Sequence, residues 1–518
     1  MSQDNGMQKK LGRNKQYALN MITSILSMGI SVAISFFLSP YIVRNIGAEA
    51  NAYISISTQI VSYVSLLSTA LNSMGSRFIM MAYYNQEYDK AKTYYSSLFI
   101  GDLALAIVIF IVGIFAVSNL DSLINISPEL VNDVKLLILL VLINFLLFLV
   151  FTAWSCAPYI TDKLHLDYTR NTITTIIRAG LILLLFTVFN PSVYFMGVAT
   201  LLAGITSAVF NFFYKKKLLP DFKVQKKYFS FKAIKFLISS GIWNTFSSLG
   251  STLISGLDLI ITNLFVGPAA MGSLALAKTM PEFVSNLNAN VANIFTPSMV
   301  IDYAQKNNDS IVTTIKRAAK MISILCSLPL AFLLVFGENF YSLWQPTQDA
   351  KTLYILSLIT VFGRVFFTGM QPLFSIFTVV NKVKENSIVS LINGLASVII
   401  TYLLVKFTNL GVYAVAGTSV VCCAIKNIIY VVPYSAHYLG LKKNTFYSTL
   451  LSSVLCCLIL CALGYAIKLF YSPQSWISLI CVAVVFCLIG VVITSFIVLR
   501  KEERQYLLNT ILSKFSKR

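Results

Sequence analysis

The chain has 518 residues, of which 57% are hydrophobic and only 12% charged, and its mean hydropathy is +0.76. Because a soluble domain has about 25% charged residues, this composition excludes a water-soluble enzyme and indicates a protein that crosses a membrane many times. The net charge of +20 lies mostly in loops, so it indicates attraction to anionic lipid headgroups rather than nucleic-acid binding.

Apolar stretches recur from residue 17 almost to the end of the chain. Each is about 20 residues or longer, the length at which a helix crosses roughly 30 Å of hydrocarbon. We therefore predict an all-α polytopic membrane protein with fourteen membrane-spanning helices. In chain order, the predicted spans 1 to 14 cover residues 17–43, 53–83, 94–117, 134–157, 169–189, 193–214, 236–266, 270–300, 312–336, 350–380, 387–407, 411–433, 447–470 and 476–499.

The loops on the two sides of these spans differ in their content of lysine and arginine. If the N-terminus lies inside, the cytoplasmic segments hold 30 of these residues and the outer ends and loops hold 5. Since this bias sets the orientation of membrane proteins, both termini are predicted to be cytoplasmic. The basic tail at 500–518 is predicted to form an amphipathic helix at the membrane surface.

The sequence contains an internal repeat. One shift of the chain places "IGAEANAY" (46–53) on "VGPAAMGS" (266–273), and nearly the same shift places "NPSVYFMG" (190–197) on "NLGVYAVA" (409–416). Two matches at nearly one offset, in distant parts of the chain, are not explained by shared apolarity and indicate duplicated halves.

The repeat predicts the organisation of the chain. Because six helices is an even number, both halves start on the same side of the membrane, as in transporters built from parallel repeats with a site between them. A transporter is therefore the leading hypothesis. The predicted parts are an N-terminal six-helix bundle (1–214), a basic cytoplasmic linker (215–235), a C-terminal six-helix bundle (236–433), two further helices (434–499) and the cytoplasmic tail (500–518).

Three charged residues fall near the middle of predicted spans 7 and 8. Lys278 follows the turn at Gly267 by 11 residues, about 16 Å of helix, and Glu282 lies on the same helical face. Asp258 precedes that turn at a similar depth. Since buried charge in hydrocarbon is costly, two interpretations stay open: an ion-pair network that pins the two helices, or a cluster that lines a solvated cavity and changes partners during transport. In the second case, Lys278→Ala removes transport and leaves the fold intact.

Other charged residues in the middle of spans are Arg178, Arg364, Lys426 and Asp102. Together with Lys278, the cations outnumber the anions, which favours an anionic guest. Arginine binds phosphate through two parallel hydrogen bonds and lysine binds it as a point charge, so the predicted guest is a phosphate or pyrophosphate. For any single arginine, a role in helix packing stays open.

Four stretches of the chain carry a family resemblance: "SFFLSPYIVRNIGAEANAY", "MGSRFIMMAYYNQEYDKAKTYYS", "SGLDLIITNLFVGPAAMGSLALAKTM" and "GVYAVAGTSV". They resemble the polysaccharide transporter branch of the multidrug/oligosaccharidyl-lipid/polysaccharide flippase superfamily, the Wzx-type flippases. The resemblance covers the whole chain, including the plan of twelve helices followed by two. Its motifs are diffuse, so they indicate the family and leave the substrate open.

The resemblance implies two six-helix bundles in a V around a central cationic cavity. It also implies a function, the flipping of an undecaprenyl-pyrophosphate-linked oligosaccharide from the inner to the outer leaflet of the bacterial plasma membrane by alternating access. Such a protein is a monomer, not an enzyme, and needs no cofactor. Its implied partners are the lipid-linked oligosaccharide, anionic lipids, a polysaccharide polymerase and glycosyltransferases.

The resemblance also assigns particular residues. Arg44 stands at the family's basic position before the glycine turn, Arg77 at the basic position that ends span 2, Asp258 at the acidic position of span 7 and Lys278 in the Ala-Lys position of span 8. Ala52 replaces the second glycine of the first turn, which implies a looser turn there. Without the resemblance, the two arginines are explained by snorkelling of their side chains to the headgroups.

Several alternatives stay open. A drug or cation antiporter of the same superfamily prefers an acidic cavity, which the excess of cations opposes. A polysaccharide polymerase or ligase needs reactive groups on an outer loop, and the longest one, "SNLDSLINISPELVND", has no lysine, arginine or histidine. A flippase for a peptidoglycan precursor or a teichoic acid is not distinguished by sequence. Coupling to Na⁺, H⁺ or the membrane potential is also open, with Asp258 and Glu282 as candidates for the coupling ion.

Overall fold

A computed structural model describes residues 2–161, 163–293, 295, 299, 302–303, 305, 307–380, 382–499, 501 and 504. Every regular element in this part of the chain is a helix. The chain divides into two compact units, unit 1 (Met1–Thr252) and unit 2 (Leu253–Arg518). The predicted bundle boundaries at 214 and 236 stay a prediction, and most of the tail for which a surface helix is predicted lies outside the described residues.

Unit 1 contains the first helices of the chain. They are α1 (Ser2–Tyr84), α2 (Tyr88–Ser118), α3 (Leu120–Leu123), α4 (Val131–Val150), α5 (Thr152–Ile160), α6 (Leu164–Val188), α7 (Tyr194–Leu218) and α8 (Phe231–Ser255), which extends into unit 2.

Unit 2 contains the helices that follow. They are α9 (Asp258–Phe265), α10 (Pro268–Asn293), α11 (Asn308–Trp344), α12 (Ala350–Phe367), α13 (Gln371–Val379), α14 (Val383–Phe407), α15 (Val412–Lys426), α16 (Val432–Tyr438), α17 (Tyr447–Phe470) and α18 (Trp476–Val498).

The prediction of about fourteen spans is confirmed. Among the described residues, eleven helices are long and apolar enough to cross a membrane, or twelve when the bent pair of α8 and α9 counts as one span. One of the eleven, Ile22–Tyr84, has 63 residues and, at about 1.5 Å per residue, is long enough for predicted spans 1 and 2. α10 is not among these helices, because its lysine, glutamate and asparagines lower its mean hydropathy. Counting Ile22–Tyr84 as two spans and adding α10 gives a total of fourteen.

Spans 1 and 2 meet at a glycine. Within α1, Gly47 has φ 83° and ψ 163°, so the helix is broken there. Gly267, its counterpart in the repeat, has φ 124° and stands just before α10. Because side chains disfavour positive φ and glycine does not, both turns require the glycine that the sequence supplies.

The internal repeat is visible in the helix boundaries. The shift that carries residue 190 to residue 409 also carries both ends of α5 to the ends of α13, and both ends of α6 to the ends of α14. The same shift carries the start of α4 to the start of α12. The offset found in the sequence therefore describes consecutive structural elements of the two units.

The segment between α7 and α8 is packed against unit 1. Phe222 is buried against the ring of Tyr95 on α2, with ring centroids 5.6 Å apart. The Tyr228 hydroxyl donates to Asp89 Oδ1 at 3.0 Å, and the backbone N–H of Ser230 donates to Ser97 Oγ at 3.0 Å. The predicted linker is therefore an ordered connection held by α2.

Candidate functional site

Unit 2 contains a buried ion pair between α9 and α10. The ammonium of Lys278 donates to Asp258 Oδ2 at 2.9 Å, and the two residues are only 9% and 5% exposed. The contact predicted from their similar depth is therefore observed. Its role in transport stays a prediction.

The turn at Gly267 explains why these two side chains meet. The backbone N–H groups of Val266 and Gly267 both donate to the carbonyl of Thr262, at 2.9 and 2.8 Å, which closes the end of α9. The chain then enters α10 through the positive φ of Gly267. Residues at similar distances before and after this turn consequently come side by side.

α10 remains helical through Pro281. A proline within a helix cannot donate to the carbonyl four residues earlier, which here belongs to Ala277. That carbonyl instead accepts from the hydroxyl of Tyr341 on α11 at 3.2 Å. The hydrogen bond that the helix loses at Pro281 is thus replaced by one from a buried tyrosine.

Glu282 and Arg364 form a second part of the site. Glu282 is exposed on α10, one turn after Lys278, and its charge acts on Arg364 of α12. Arg364 NH1 donates to the hydroxyl of Ser285 on α10. Glu282 therefore lies near Arg364 as well as one helical turn from Lys278, and its predicted cluster with Lys278 and Asp258 stays a prediction.

Lys426 lies at the end of α15 and has no carboxylate partner among the described residues. Its ammonium is 3.5 Å from the hydroxyl of Ser390 on α14 and 5.9 Å from the ring centroid of Phe374 on α13. An aromatic face and a hydroxyl compensate a cation only partly, so this lysine can accept an anionic guest.

These charges converge in unit 2. Lys426, Arg364 and Asp258 all lie near Cys423 on α15, and α10 packs against α9, α12 and α15. We name the following residues the unit 2 charge cluster: Asp258, Lys278, Glu282, Arg364 and Lys426. Three cations against two carboxylates make the cluster suitable for a group with negative charge.

The remaining predicted site residues lie in unit 1. Arg44 and Arg77 are exposed on α1 and form no ion pair with any described carboxylate. Asp102 is fully buried on α2 and accepts a hydrogen bond from Asn72 Nδ2 of α1 at 2.9 Å. Asp102 therefore joins α1 to α2.

Arg178 lines a cavity whose walls are all in unit 1, where Arg170 accompanies it. Arg170 was missed by sequence reasoning, which counted it among the residues of the cytoplasmic loops. The signal that identifies it is the spacing of eight residues between the two arginines on α6, which places them on one helical face.

Comparisons with known proteins agree with this fold. The family described as "Polysaccharide biosynthesis protein" matches residues 54–341, more than half of the chain. The uncharacterized membrane protein EpsK of Bacillus subtilis (strain 168) is 26% identical over 493 residues, which cover 95% of this chain and 97% of EpsK.

Two solved structures show the same architecture. The lipid II flippase MurJ, in an inward closed conformation, has a TM-score of 0.70 at 16% identity and covers 93% of this chain and 100% of its own. An inward-facing multidrug resistance transporter of the MATE family, in the MOP superfamily, has a TM-score of 0.61 at 16% identity and covers 82% of this chain and 97% of its own. The chain therefore belongs to the polysaccharide biosynthesis protein family and is a multi-pass membrane protein with the fold of MurJ and the MATE transporters.

Proposed function

We propose that this protein is a flippase that moves an undecaprenyl-pyrophosphate-linked oligosaccharide from the cytoplasmic to the outer leaflet of a bacterial plasma membrane. The observation that carries the proposal is the unit 2 charge cluster, with its excess of cations inside membrane-spanning helices. Membership in the polysaccharide biosynthesis family supports a glycan-bearing substrate. The fold, which is also that of a lipid II flippase, supports a lipid-linked one.

The physical reason for such a protein is the headgroup. A polyprenyl tail remains in hydrocarbon throughout the transfer, but a pyrophosphate and its sugars lose their hydration if they cross without polar partners. Cations held within the spans replace part of that hydration, and alternating access exposes them to each side in turn. The protein makes and breaks no covalent bond of the substrate in this scheme, so it is not an enzyme.

Within the unit 2 charge cluster, the cations have different tasks. Lys426 and Arg364 are compensated mainly by hydroxyls, so they are the proposed first contacts of the pyrophosphate. Lys278 is already neutralised by Asp258, and it contributes when the carboxylate is protonated or displaced. Asp258 is therefore the proposed site of any coupling to protons.

Lipid II or a teichoic acid precursor is the closest alternative substrate, since MurJ itself is a lipid II flippase. A drug antiporter is disfavoured because the cluster has more cations than anions. Under the proposed function, both termini face the cytoplasm. Glycosyltransferases supply the lipid-linked oligosaccharide there, a polymerase consumes it outside, and the flippase itself acts as a monomer.

The test is a flipping assay in liposomes. Purified protein is reconstituted with a fluorescent undecaprenyl-pyrophosphate oligosaccharide, and the fraction accessible to a membrane-impermeant quencher is followed over time. We expect protein-dependent exchange between leaflets, and we expect Lys426→Gln to slow it by about tenfold, as for the loss of one charge-assisted contact.

The matched control is Lys443→Gln, which removes the same charge from the exposed segment after α16. Its rate should equal that of the unchanged protein. Consumption or elongation of the lipid without movement between leaflets would indicate a polymerase instead of a flippase. An equal loss of the exchange rate in both variants would show that Lys426 does not contact the moving headgroup.

A further inference from the structure

Unit 1 contains a half-open cavity with apolar and polar lining residues that the proposed function does not use. This cavity has a volume of about 500 Å³ and lies between α1, α4, α6 and α7. Sites for small molecules commonly have volumes of about 300–1,000 Å³. The space is therefore large enough for a phosphate group with a substituent the size of a sugar or a glycerol.

Arg170 is one of the residues that line the cavity. It is 8% exposed, and its guanidinium lies 3.0 Å from Asp167 Oδ1. It also donates to the amide oxygens of Asn211, through NH1, and Asn171, through NH2 at 3.1 Å. Its Nε is buried without a hydrogen-bond partner. The guanidinium therefore keeps one donor that a further acceptor can use.

Arg178 lies two turns farther along α6, about 12 Å from Arg170 along the helix axis. It forms no ion pair with any carboxylate of the described chain, and no acidic residue lines the cavity. An arginine within a membrane span is costly unless an anion or water compensates it. Since Asp167 lies against Arg170, Arg178 is the cation of the cavity that the described carboxylates leave uncompensated.

The rest of the lining offers hydrogen bonds. Thr174 and Thr175 on α6, Ser207 on α7 and Asn144 on α4 all face the space. A side chain at Gly204 would overlap Asn144 Oδ1, so this glycine makes room for the amide. Hydroxyl and amide groups of this kind bind the hydroxyls of a guest, whereas the guanidiniums bind its phosphate.

The repeat relates this cavity to the unit 2 charge cluster. Phe145 and Ser207 line the cavity, and the shift that superposes the helix boundaries carries them to Arg364 and Lys426, respectively. The two units therefore place polar interiors at equivalent positions of the duplicated fold.

The cations themselves come from different helices in the two units. At the same offset, Arg170 corresponds to Val389 and Arg178 to Ser397. Unit 1 thus obtains its positive charge from α6, whose counterpart in unit 2 has none at these positions. A shared packing requirement of the fold does not explain charges that differ between its two copies.

We propose that the unit 1 cavity is an anion-binding site for a phosphate or pyrophosphate group with a hydroxylated substituent, bound by Arg170 and Arg178. All residues that line this site belong to unit 1, and anion binding there does not depend on the proposed flippase activity. The phosphate comes either from a membrane glycerophospholipid or from a phosphorylated sugar or pyrophosphate compound.

Binding to the purified full-length protein in a phosphate-free maltoside detergent tests this site. Inorganic pyrophosphate is titrated in one arm and short-chain phosphatidylglycerol in the other, by calorimetry. Arg178→Gln should weaken binding by at least about tenfold, as expected for the loss of a bidentate charged contact, and Arg178→Lys should weaken it less. Ala208→Leu fills the cavity without changing charge and should also weaken binding.

Lys217→Gln is the charge control, because Lys217 is exposed at the end of α7 and does not line the cavity. It should bind as the unchanged protein does, and the effect of Arg178→Gln should persist in a Lys426→Gln background. If pyrophosphate binds and its binding depends on Arg178, the phosphate group is sufficient for recognition. If only phosphatidylglycerol binds, the ligand is a membrane lipid. Binding of neither probe, or equal losses in Arg178→Gln and Lys217→Gln, would overturn the proposal.

Discussion

Lys278 combines two roles that a single substitution does not separate. Its charge neutralises Asp258, which is 5% exposed, and it belongs to the cluster proposed to receive the pyrophosphate. The sequence predicts that Lys278→Ala leaves the fold intact if the charges line a solvated cavity. The buried ion pair predicts a loss of stability instead, because the substitution leaves a buried carboxylate without its partner.

A double substitution separates the two roles. Removing one partner of a buried ion pair costs about 3–5 kcal/mol, whereas replacing both partners is often nearly neutral. Lys278→Met should therefore strongly lower the free energy of unfolding, and Asp258→Asn combined with Lys278→Met should restore most of it. Denaturant unfolding in detergent measures this cycle.

The same pair of variants should differ from the unchanged protein in flux. The double variant is expected to be stable yet to transport poorly, because its cluster has lost an intramembrane cation and a titratable carboxylate. Normal flux from the stable double variant would show that Asp258 and Lys278 only hold α9 and α10 together and take no part in transport.

The sequence predicted only some of these contacts, for a physical reason. The pairing of Asp258 with Lys278 follows from their similar distances to the turn at Gly267, which is a local property of the chain. The contact of Arg364 with Ser285 and the place of Arg170 in the cavity depend on which helices pack together. Periodicity within one helix does not contain that information.

Among the elements, the helices that differ most from the predicted spans are those with breaks. α8 and α9 meet at a bend of 40°, and predicted span 12 (411–433) contains α15, the π-helical segment Asn427–Val431 and only the first two residues of α16. Apolar length predicts that a segment crosses the membrane but not where its backbone changes course. Pro433, in the first turn of α16, lacks the donor that a continuous helix needs there.

Close helix packing in unit 1 gives a prediction about stability. Gly241 of α8 lies against α1, where an added Cβ would overlap the backbone carbonyl of Ala70. Since backbone cannot move as a side chain does, Gly241→Ala should destabilise unit 1 by about 1–3 kcal/mol. The thermal unfolding midpoint of the purified variant measures the effect.

Gly180→Ala is the matched control, because nothing lies within 4 Å of a Cβ at that position of α6. Alanine is the better helix former, so this variant should be stabilised by about 0.5–1 kcal/mol. Equal effects of the two substitutions would show that helix propensity, and not the contact of α8 with α1, decides the outcome.

At the scale of the whole molecule, duplication supplies the fold and later divergence supplies the charges. Helix boundaries repeat at one offset in the two units, as the sequence match at residues 190–197 and 409–416 predicted. The charged positions within the spans do not repeat, since Arg364 stands where unit 1 has Phe145. The internal sequence repeat therefore predicts the helix arrangement of both units, but it does not predict where the charged sites lie in either unit.

The distribution of basic residues predicts the orientation of the whole chain. α7 ends with Lys215, Lys216 and Lys217, and such residues remain on the cytoplasmic side. Alkaline phosphatase fused after residue 218 should therefore be inactive, and the same enzyme fused after residue 190 should be active. The reverse pattern would invert the proposed direction of transport.

The central claim is that the intramembrane cations select a guest with negative charge. Its most direct test is the initial rate of leaflet exchange, in one preparation of proteoliposomes, for polyprenyl lipids that differ only in the headgroup: pyrophosphate, uncharged or quaternary ammonium. We predict that the pyrophosphate lipid moves fastest and that Lys426→Gln slows this lipid alone. Fastest movement of the ammonium lipid, with no effect of Lys426→Gln on the pyrophosphate lipid, would contradict the account and favour a cation transporter.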